Sequence, residues 1–429
     1  MLGSERFRRL SREGIWIILG QAIAMLGLLA GVRLLTELLD PVAYGELALG
    51  MTVATLVSQT LIGPLGNGAS RFYASAVERN DLGGYLIAVR RLVLQVVGVI
   101  VFLMIGAIIG LPWMGAAHWT ALAVTAFLFA VLGGSSSLMS GVQNAARQRS
   151  IVALHQGMES WLRWLCAAGL MIWLGASAVV AMAGYAVAAA IVLGSQYWFF
   201  RKTTPKRPVA GRATHWKREI WSYSWPFAAW GIFTWAQLAS DRWALELFTT
   251  PQEVGLYAAL FQLGYYPIAT ATGMIVQFLA PIFFQRAGDA SDSQRRANVN
   301  ELSARLIGLA LIVTGTLFLV TFFFHELLFS AFVADEYRAV SRLLPWVVLG
   351  GGLFATGQTI ALNLMSQLKT RTMIAAKIVT AILGIAFSFA GAYVSGITGV
   401  VGAGVLFALI YVLWMANLAG KQDQQVRYA

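Results

Sequence analysis

The chain has 429 residues, of which 58% are hydrophobic and only 12% are charged, and its mean hydropathy is +0.70. Soluble domains carry about 25% charged residues, so this composition excludes an ordinary soluble protein. Its net charge of +12 would indicate a nucleic-acid partner in a soluble protein, unless membrane topology accounts for the basic residues.

Long, continuous apolar runs predict helices that cross a membrane. A helix needs about 20 apolar residues to span a hydrocarbon core of about 30 Å. Only helices and closed barrels satisfy their backbone polar groups in lipid, and strands of a barrel would alternate in polarity. The first run is too long for the apolar region of a cleaved signal peptide. Twelve runs are predicted to be helices: 14–35, 47–62, 92–111, 120–139, 151–174, 179–200, 220–238, 254–279, 306–324, 343–365, 373–394 and 400–418.

The basic residues fall mostly in the two tails and in the even-numbered connections between these runs. An excess of Lys and Arg marks the cytoplasmic side of a membrane protein. We therefore expect a multi-pass protein with both termini in the cytoplasm. Topology alone accounts for the positive charge, and no nucleic-acid partner is expected.

One short motif occurs once in each half of the chain. Residues 33–45 and 242–255 both begin with Arg, which is followed four residues on by Glu; a Pro then precedes a Gly by four residues. Self-similarity of this kind indicates a duplicated architecture. It predicts an N-terminal lobe of six helices in residues 1–200 and a C-terminal lobe in residues 220–429. The basic segment 201–219 is predicted to be a cytoplasmic linker between them.

The second run ends irregularly. Residues 63–73 begin Gly-Pro-Leu-Gly, and Pro64 is expected to break or kink the helix near its inner end. Irregular backbone at membrane depth is tolerated only against protein or a water-filled cavity. The segment is therefore either a wall of such a cavity or a helix that ends and follows the inner membrane surface.

The fifth run carries ionisable residues at regular spacing. His155, Glu159 and Arg163 recur every four residues and so share one helix face. Arg163 lies roughly 20 Å from the inner end of the helix by the helical rise. An ionisable group at that depth usually has a partner, and Glu159 is one turn away. The pair either holds helices together or borders a polar pathway that binds anions or relays protons.

Several expected signatures of other classes are missing from the sequence. It has no phosphate-binding Gly-x-x-x-x-Gly-Lys-Ser/Thr loop and no Gly-x-Ser-x-Gly motif. Its four histidines are scattered without metal-ligand spacing. The outer connections are too short for the domain of a glycan polymerase or ligase. A carrier is therefore favoured over an enzyme, with no catalytic residue, no metal and no bound cofactor.

Short segments in both halves carry a family resemblance. They are Gly20-Gln21, 33–36, 41–45, 63–73, Asp241-Arg242 and 254–259. In this order they resemble bacterial oligosaccharide flippases, the polysaccharide transporters of the multidrug/oligosaccharidyl-lipid/polysaccharide exporter superfamily. The resemblance implies an all-α polytopic membrane protein with twelve transmembrane helices. It also implies two six-helix lobes, related by a parallel internal repeat, around a V-shaped central cavity.

The implied cargo is an undecaprenyl-pyrophosphate-linked oligosaccharide, flipped across the bacterial inner membrane by alternating access. Such transport would serve the synthesis of O-antigen, lipopolysaccharide or exopolysaccharide. The implied partners are the lipid-linked oligosaccharide, membrane lipids and glycan-assembly proteins such as a polymerase and glycosyltransferases. A drug or cation antiporter of the same fold is the alternative, although it would require acidic residues in its cavity.

A carrier of this cargo must neutralise a pyrophosphate, which Arg does through its fork of donors. The candidate substrate-binding residues are, in order, Arg163, Arg33, Arg71 and Arg242. Alternatively, Arg33 and Arg242 pair with Glu37 and Glu246 one turn on, and Arg71 only anchors the inner surface. Candidates for coupling to H⁺ or Na⁺ are Glu159, His155 and Asp241.

Overall fold

The computed structural model describes residues 2–203, 213–287, 293–366 and 370–427. Within these ranges the chain is helical, with short π and 3-10 segments and no strand. The α-helices are α1 (Leu2–Leu38), α2 (Pro41–Val57), α3 (Gly63–Glu78), α4 (Leu82–Trp113), α5 (Thr120–Ala145), α6 (Arg149–Leu174), α7 (Ala178–Thr203), α8 (Ala213–Phe248), α9 (Pro251–Ala287), α10 (Ser293–Phe332), α11 (Leu344–Ser366) and α12 (Thr370–Arg427).

The apolar runs all fall in helical structure. Two of them, 373–394 and 400–418, lie in α12, where Ser395 and Gly396 leave helical geometry and Gly396 adopts a φ of 54°. The ninth run ends at Phe324, where α10 also has a non-helical residue. Eight stretches of the described residues are long and apolar enough to cross a membrane. The chain is a multi-pass helical membrane protein, while the count of twelve spans stays a prediction.

The Pro of the repeated motif begins a helix in both copies. Asp40 caps α2 through its Oδ1, which accepts a hydrogen bond from the Ala43 amide at 2.7 Å, and Pro41 is the first helical residue. In the second copy, the hydroxyl of Thr250 accepts from the Glu253 amide at 3.4 Å, and Pro251 begins α9. Pro suits the first helical position because its missing N–H would have had no partner there.

The Gly of the motif brings the first turns of α2 and α9 into direct contact. A Cβ atom at Gly45 would lie 2.5 Å from the carbonyl oxygen of Pro251 and 2.8 Å from the amide nitrogen of Gly255. At Gly255 a Cβ would overlap the carbonyl oxygen of Pro41. The two copies of the motif therefore meet at their glycines, where only the absence of a side chain permits this approach.

The chain forms two compact units. The first contains residues 1–39 and 46–235, and the second contains residues 40–45 and 236–429. Both α2 and α8 contribute to each unit. The predicted lobes 1–200 and 220–429 with the linker 201–219 stay a prediction, and positions 204–212 of that linker lie outside the described residues.

Candidate functional site

Arg163 and Glu159 of α6 form the expected pair. The Arg163 Nη2 donates to Glu159 Oε1 at 2.7 Å, and the two side chains are 34% and 23% exposed. The guanidinium also lies 5.2 Å from the ring centre of Phe129 on α5 and 5.7 Å from that of Tyr185 on α7. Aromatic faces attract cations, so three helices of the first unit hold this charge.

His155 takes a separate position on the same helix. It is fully buried, with Nδ1 2.7 Å from the carbonyl oxygen of Ile151 and Nε2 3.0 Å from the hydroxyl of Ser195. A carbonyl only accepts, so Nδ1 donates to it, and Nε2 shares a hydrogen bond with the Ser195 hydroxyl. The bond to Ser195 joins α6 to α7. The part of His155 in ion coupling stays a prediction.

The irregular end of the second run is a π-helical segment, Ser58–Ile62, that leads directly into α3. Pro64 lies in the first turn of α3, so the expected break is replaced by a change of helix type. The structure thus corrects the expected interruption, because Pro is tolerated in a first turn. Arg71 lies on α3, exposed, and has no hydrogen-bond or ion-pair partner among the described residues.

The π segment packs closely on α8 within the first unit. A Cβ at Gly231 would overlap the Gln59 carbonyl oxygen, and the Thr234 hydroxyl donates to Gln59 Oε1 at 3.2 Å. The Trp235 indole donates to the Thr52 carbonyl oxygen at 2.7 Å. Such π segments often occur at functional sites. In the sequence, the only local sign of this contact at Gln59 is the Gly63-Pro64 pair that follows it.

A second cluster of charge lies in the second unit. Asp241 Oδ2 accepts from the Tyr257 hydroxyl at 2.5 Å, and Oδ1 accepts from the backbone amide of Arg242 at 2.8 Å. The Arg242 guanidinium lies 3.5 Å from Asp241 Oδ1 and 4.5 Å from the ring centre of Phe261. Asp241 borders a cavity of about 100 Å³ whose lining also includes Gln237 and is otherwise mainly aromatic and aliphatic.

Arg33 pairs with Glu37 at 2.5 Å on α1. This pair was the predicted alternative to substrate binding by Arg33. Among the seven candidate residues, the structure pairs Glu159 with Arg163 and Asp241 with Arg242. Within the part of the chain that the structure describes, no three His, Cys, Asp or Glu side chains gather as a metal site would require.

Known proteins share this architecture. A family model described as "Polysaccharide biosynthesis protein" matches residues 10–287. Among solved structures, "Lipid II flippase MurJ, inward closed conformation" is similar with a TM-score of 0.70 and 12% identity, over 95% of this chain and 87% of that chain. An inward-facing multidrug resistance MATE family transporter of the MOP superfamily gives a TM-score of 0.62 and 13% identity, over 94% and 95%.

A MOP superfamily transporter from Pyrococcus furiosus is similar with a TM-score of 0.55 and 14% identity, over 95% of this chain and 94% of that chain. No curated protein matches by sequence. Identities this low show the fold alone, and they confirm the all-α polytopic fold class expected from the sequence.

Proposed function

Because the chain belongs to the family of polysaccharide biosynthesis proteins, we propose that it flips an undecaprenyl-pyrophosphate-linked oligosaccharide across the bacterial inner membrane by alternating access. The observation that carries the proposal is the family match over residues 10–287, well over half of the chain. The fold shared with a lipid II flippase supports a lipid-linked cargo. The protein itself is a carrier and not an enzyme, with both termini in the cytoplasm.

The four candidate arginines differ in how ready they are to bind a pyrophosphate. Arg33, Arg163 and Arg242 each have a carboxylate partner, which an anionic cargo would have to displace. Arg71 is exposed and has no such partner among the described residues. A pyrophosphate would therefore meet Arg71 without breaking an ion pair. In this proposal the pyrophosphate binds Arg71 first and Arg163 later.

The test replaces Arg71 in protein reconstituted into liposomes. A charge-assisted hydrogen bond contributes about 1.5–3 kcal/mol, so Arg71→Ala should slow flipping by about 10- to 100-fold. Arg71→Lys should retain part of the rate, because Lys keeps the charge but loses the fork of donors. Flipping is measured as protection of a fluorescent lipid-linked oligosaccharide from an impermeant quencher.

Arg90→Ala is the matched control, because Arg90 of α4 is also exposed and without a hydrogen-bond or ion-pair partner among the described residues. It should flip the cargo at the rate of the unaltered protein. Equal rates for Arg71→Ala and Arg90→Ala would remove Arg71 from the binding site. Absence of flipping by the unaltered protein would overturn the proposed function itself.

A drug or cation antiporter is the second candidate, and one feature favours it. Asp241 presents a carboxylate to a cavity lined by Tyr257 and other aromatic side chains, which suits a cation. The same liposomes test this function with a cationic dye and an imposed H⁺ or Na⁺ gradient. Gradient-driven dye transport without glycan flipping would favour the antiporter.

The proposed flipping would supply a glycan for the cell surface. This glycan would enter O-antigen, lipopolysaccharide or exopolysaccharide, through contacts with a polymerase and glycosyltransferases. Cells that lack the protein should lose surface glycan and accumulate the lipid-linked repeat, which chromatography of extracted lipids would detect. Normal surface glycan in such cells would contradict this role.

A further inference from the structure

Buried polar side chains line the interface between α5 and α7. Gln143 is 0% exposed, and Ser136 and Gln196 are each 1% exposed. The Gln196 Nε2 donates to the Ser140 hydroxyl at 2.8 Å. The Ser136 hydroxyl, both amide atoms of Gln143 and the Oε1 of Gln196 have no hydrogen-bond partner among the described residues. We call these four residues the α5–α7 seam.

Leaving these atoms unpaired would be costly. A buried polar group without a partner costs about 1–3 kcal/mol, and native proteins contain few of them. Ser136, Ser140 and Gln143 follow one another at helical spacing, so α5 presents them along one face. The Gln143 amide offers both a donor and an acceptor. A cation would satisfy only the oxygens, whereas water satisfies both kinds of group.

The contacts between helices show that the seam and Glu159 lie at the same height along the helix axes. On α6, His155 bonds to Ser195 of α7, and Arg163 lies over Tyr185 of the same helix. Glu159 is halfway between His155 and Arg163, so it lies at the level between Ser195 and Tyr185.

The same level is reached on α5. Phe129 contacts the ring of Tyr185 at 5.9 Å, and Ser140 bonds to Gln196. Ser136 lies between Phe129 and Ser140, and therefore at the level of Glu159. The seam thus extends from Gln143, near the end of α5, to the level of the Glu159–Arg163 pair.

We propose that the α5–α7 seam holds ordered water that carries protons between its Gln143 end and Glu159, an inference that rests on the proposed transport function. A proton from the seam water adds to a carboxylate oxygen of Glu159 and gives the neutral acid. Arg163 stays protonated, and its ion pair with Glu159 is weakened in favour of an anionic pyrophosphate. Release of the proton to the seam water restores the pair.

Few other titratable groups face this site. Within two turns of Glu159 on α6 they are His155, Arg163 and Cys166, and on α7 the segment 178–196 contributes only Tyr185. Segments 19–32 of α1 and 122–143 of α5 contain no titratable residue. Glu159 is the one carboxylate in α6 and in these segments, and it is the group to which we assign the proton.

Thiol labelling tests whether the seam is wet, without any use of cargo. The single native cysteine is first removed with Cys166→Ala. Ser136→Cys is then compared with Ala126→Cys, which is equally buried on the same helix. A thiolate needs water to form, so a small water-soluble methanethiosulfonate should modify Ser136→Cys about tenfold faster or more. Rates as slow as that of Ala126→Cys would overturn the proposal.

Gln143→Leu gives a second, independent sign. In a dry seam it would remove two unpaired polar atoms and raise the thermal unfolding temperature. In a wet seam it would deprive ordered water of its partners and lower that temperature, which is the result expected here. A higher unfolding temperature contradicts the proposal.

The proton route is tested in the liposomes. Gln143→Leu and Glu159→Gln should each weaken the response of flipping to an imposed proton gradient by about tenfold, about 1.4 kcal/mol. An unchanged response in both variants would refute the route even if the seam is wet. If the unaltered protein flips no lipid-linked oligosaccharide while the seam cysteine reacts, the proposed function fails and the hydrated seam stands.

Discussion

Replacement of Gly255 by Ala tests whether the two copies of the repeated motif meet as the structure shows. The added Cβ would overlap the Pro41 carbonyl oxygen, whereas ordinary van der Waals contacts begin at 3.4 Å. The first turns of α2 and α9 would have to separate by about 1 Å or more, and overpacking of this kind costs about 1–3 kcal/mol. We expect Gly255→Ala to lower the thermal unfolding temperature. This temperature is measured in detergent from the change in tryptophan fluorescence on heating.

Gly273→Ala is the control, since Gly273 lies on the same helix and a Cβ there would meet nothing within 4 Å. Ala favours a helix over Gly by up to about 1 kcal/mol, so this variant should be as stable as the unaltered protein or more so. We therefore expect Gly255→Ala to lower the unfolding temperature and Gly273→Ala to leave it unchanged or raise it. Gly255→Ala unfolding at or above the temperature of the unaltered protein would refute the close approach of the two turns.

Two further substitutions test buried polar contacts. Trp216→Phe removes the indole that donates to buried Asp81 at 2.9 Å, and should cost about 1–3 kcal/mol in thermal unfolding, whereas half-exposed Trp221→Phe should cost little. Equal losses would show that only ring packing matters. Asp241→Asn keeps an oxygen for the Tyr257 hydroxyl but removes the charge beside Arg242, so we expect a comparable loss of about 1–3 kcal/mol in the same measurement. A fully stable variant would indicate that this ion pair contributes nothing.

Local features of the fold were predictable because lipid imposes simple rules. Apolar runs had to become helices, and a helix spacing of four residues had to place Glu159 beside Arg163. The repeated Pro and Gly were recognisable as a motif because each residue type has a preferred position in a helix. Pro starts a helix in both copies, and Gly recurs one turn later.

Contacts between distant residues were not predictable from the sequence. Asp81 and Trp216 are far apart in the chain, and nothing local indicates that the indole will cap a buried carboxylate. Pro64 indicated irregular backbone, but a π segment depends on how α8 packs against it through Gly231. The α5–α7 seam likewise depends on tertiary register, since Gln143 and Gln196 are ordinary polar residues until both are buried.

Pro226 has a mechanical consequence for α8. It has no amide hydrogen to donate to the carbonyl group one turn before it, so α8 lacks one backbone hydrogen bond at that point. The helix should therefore bend more easily near Pro226 than elsewhere along its length.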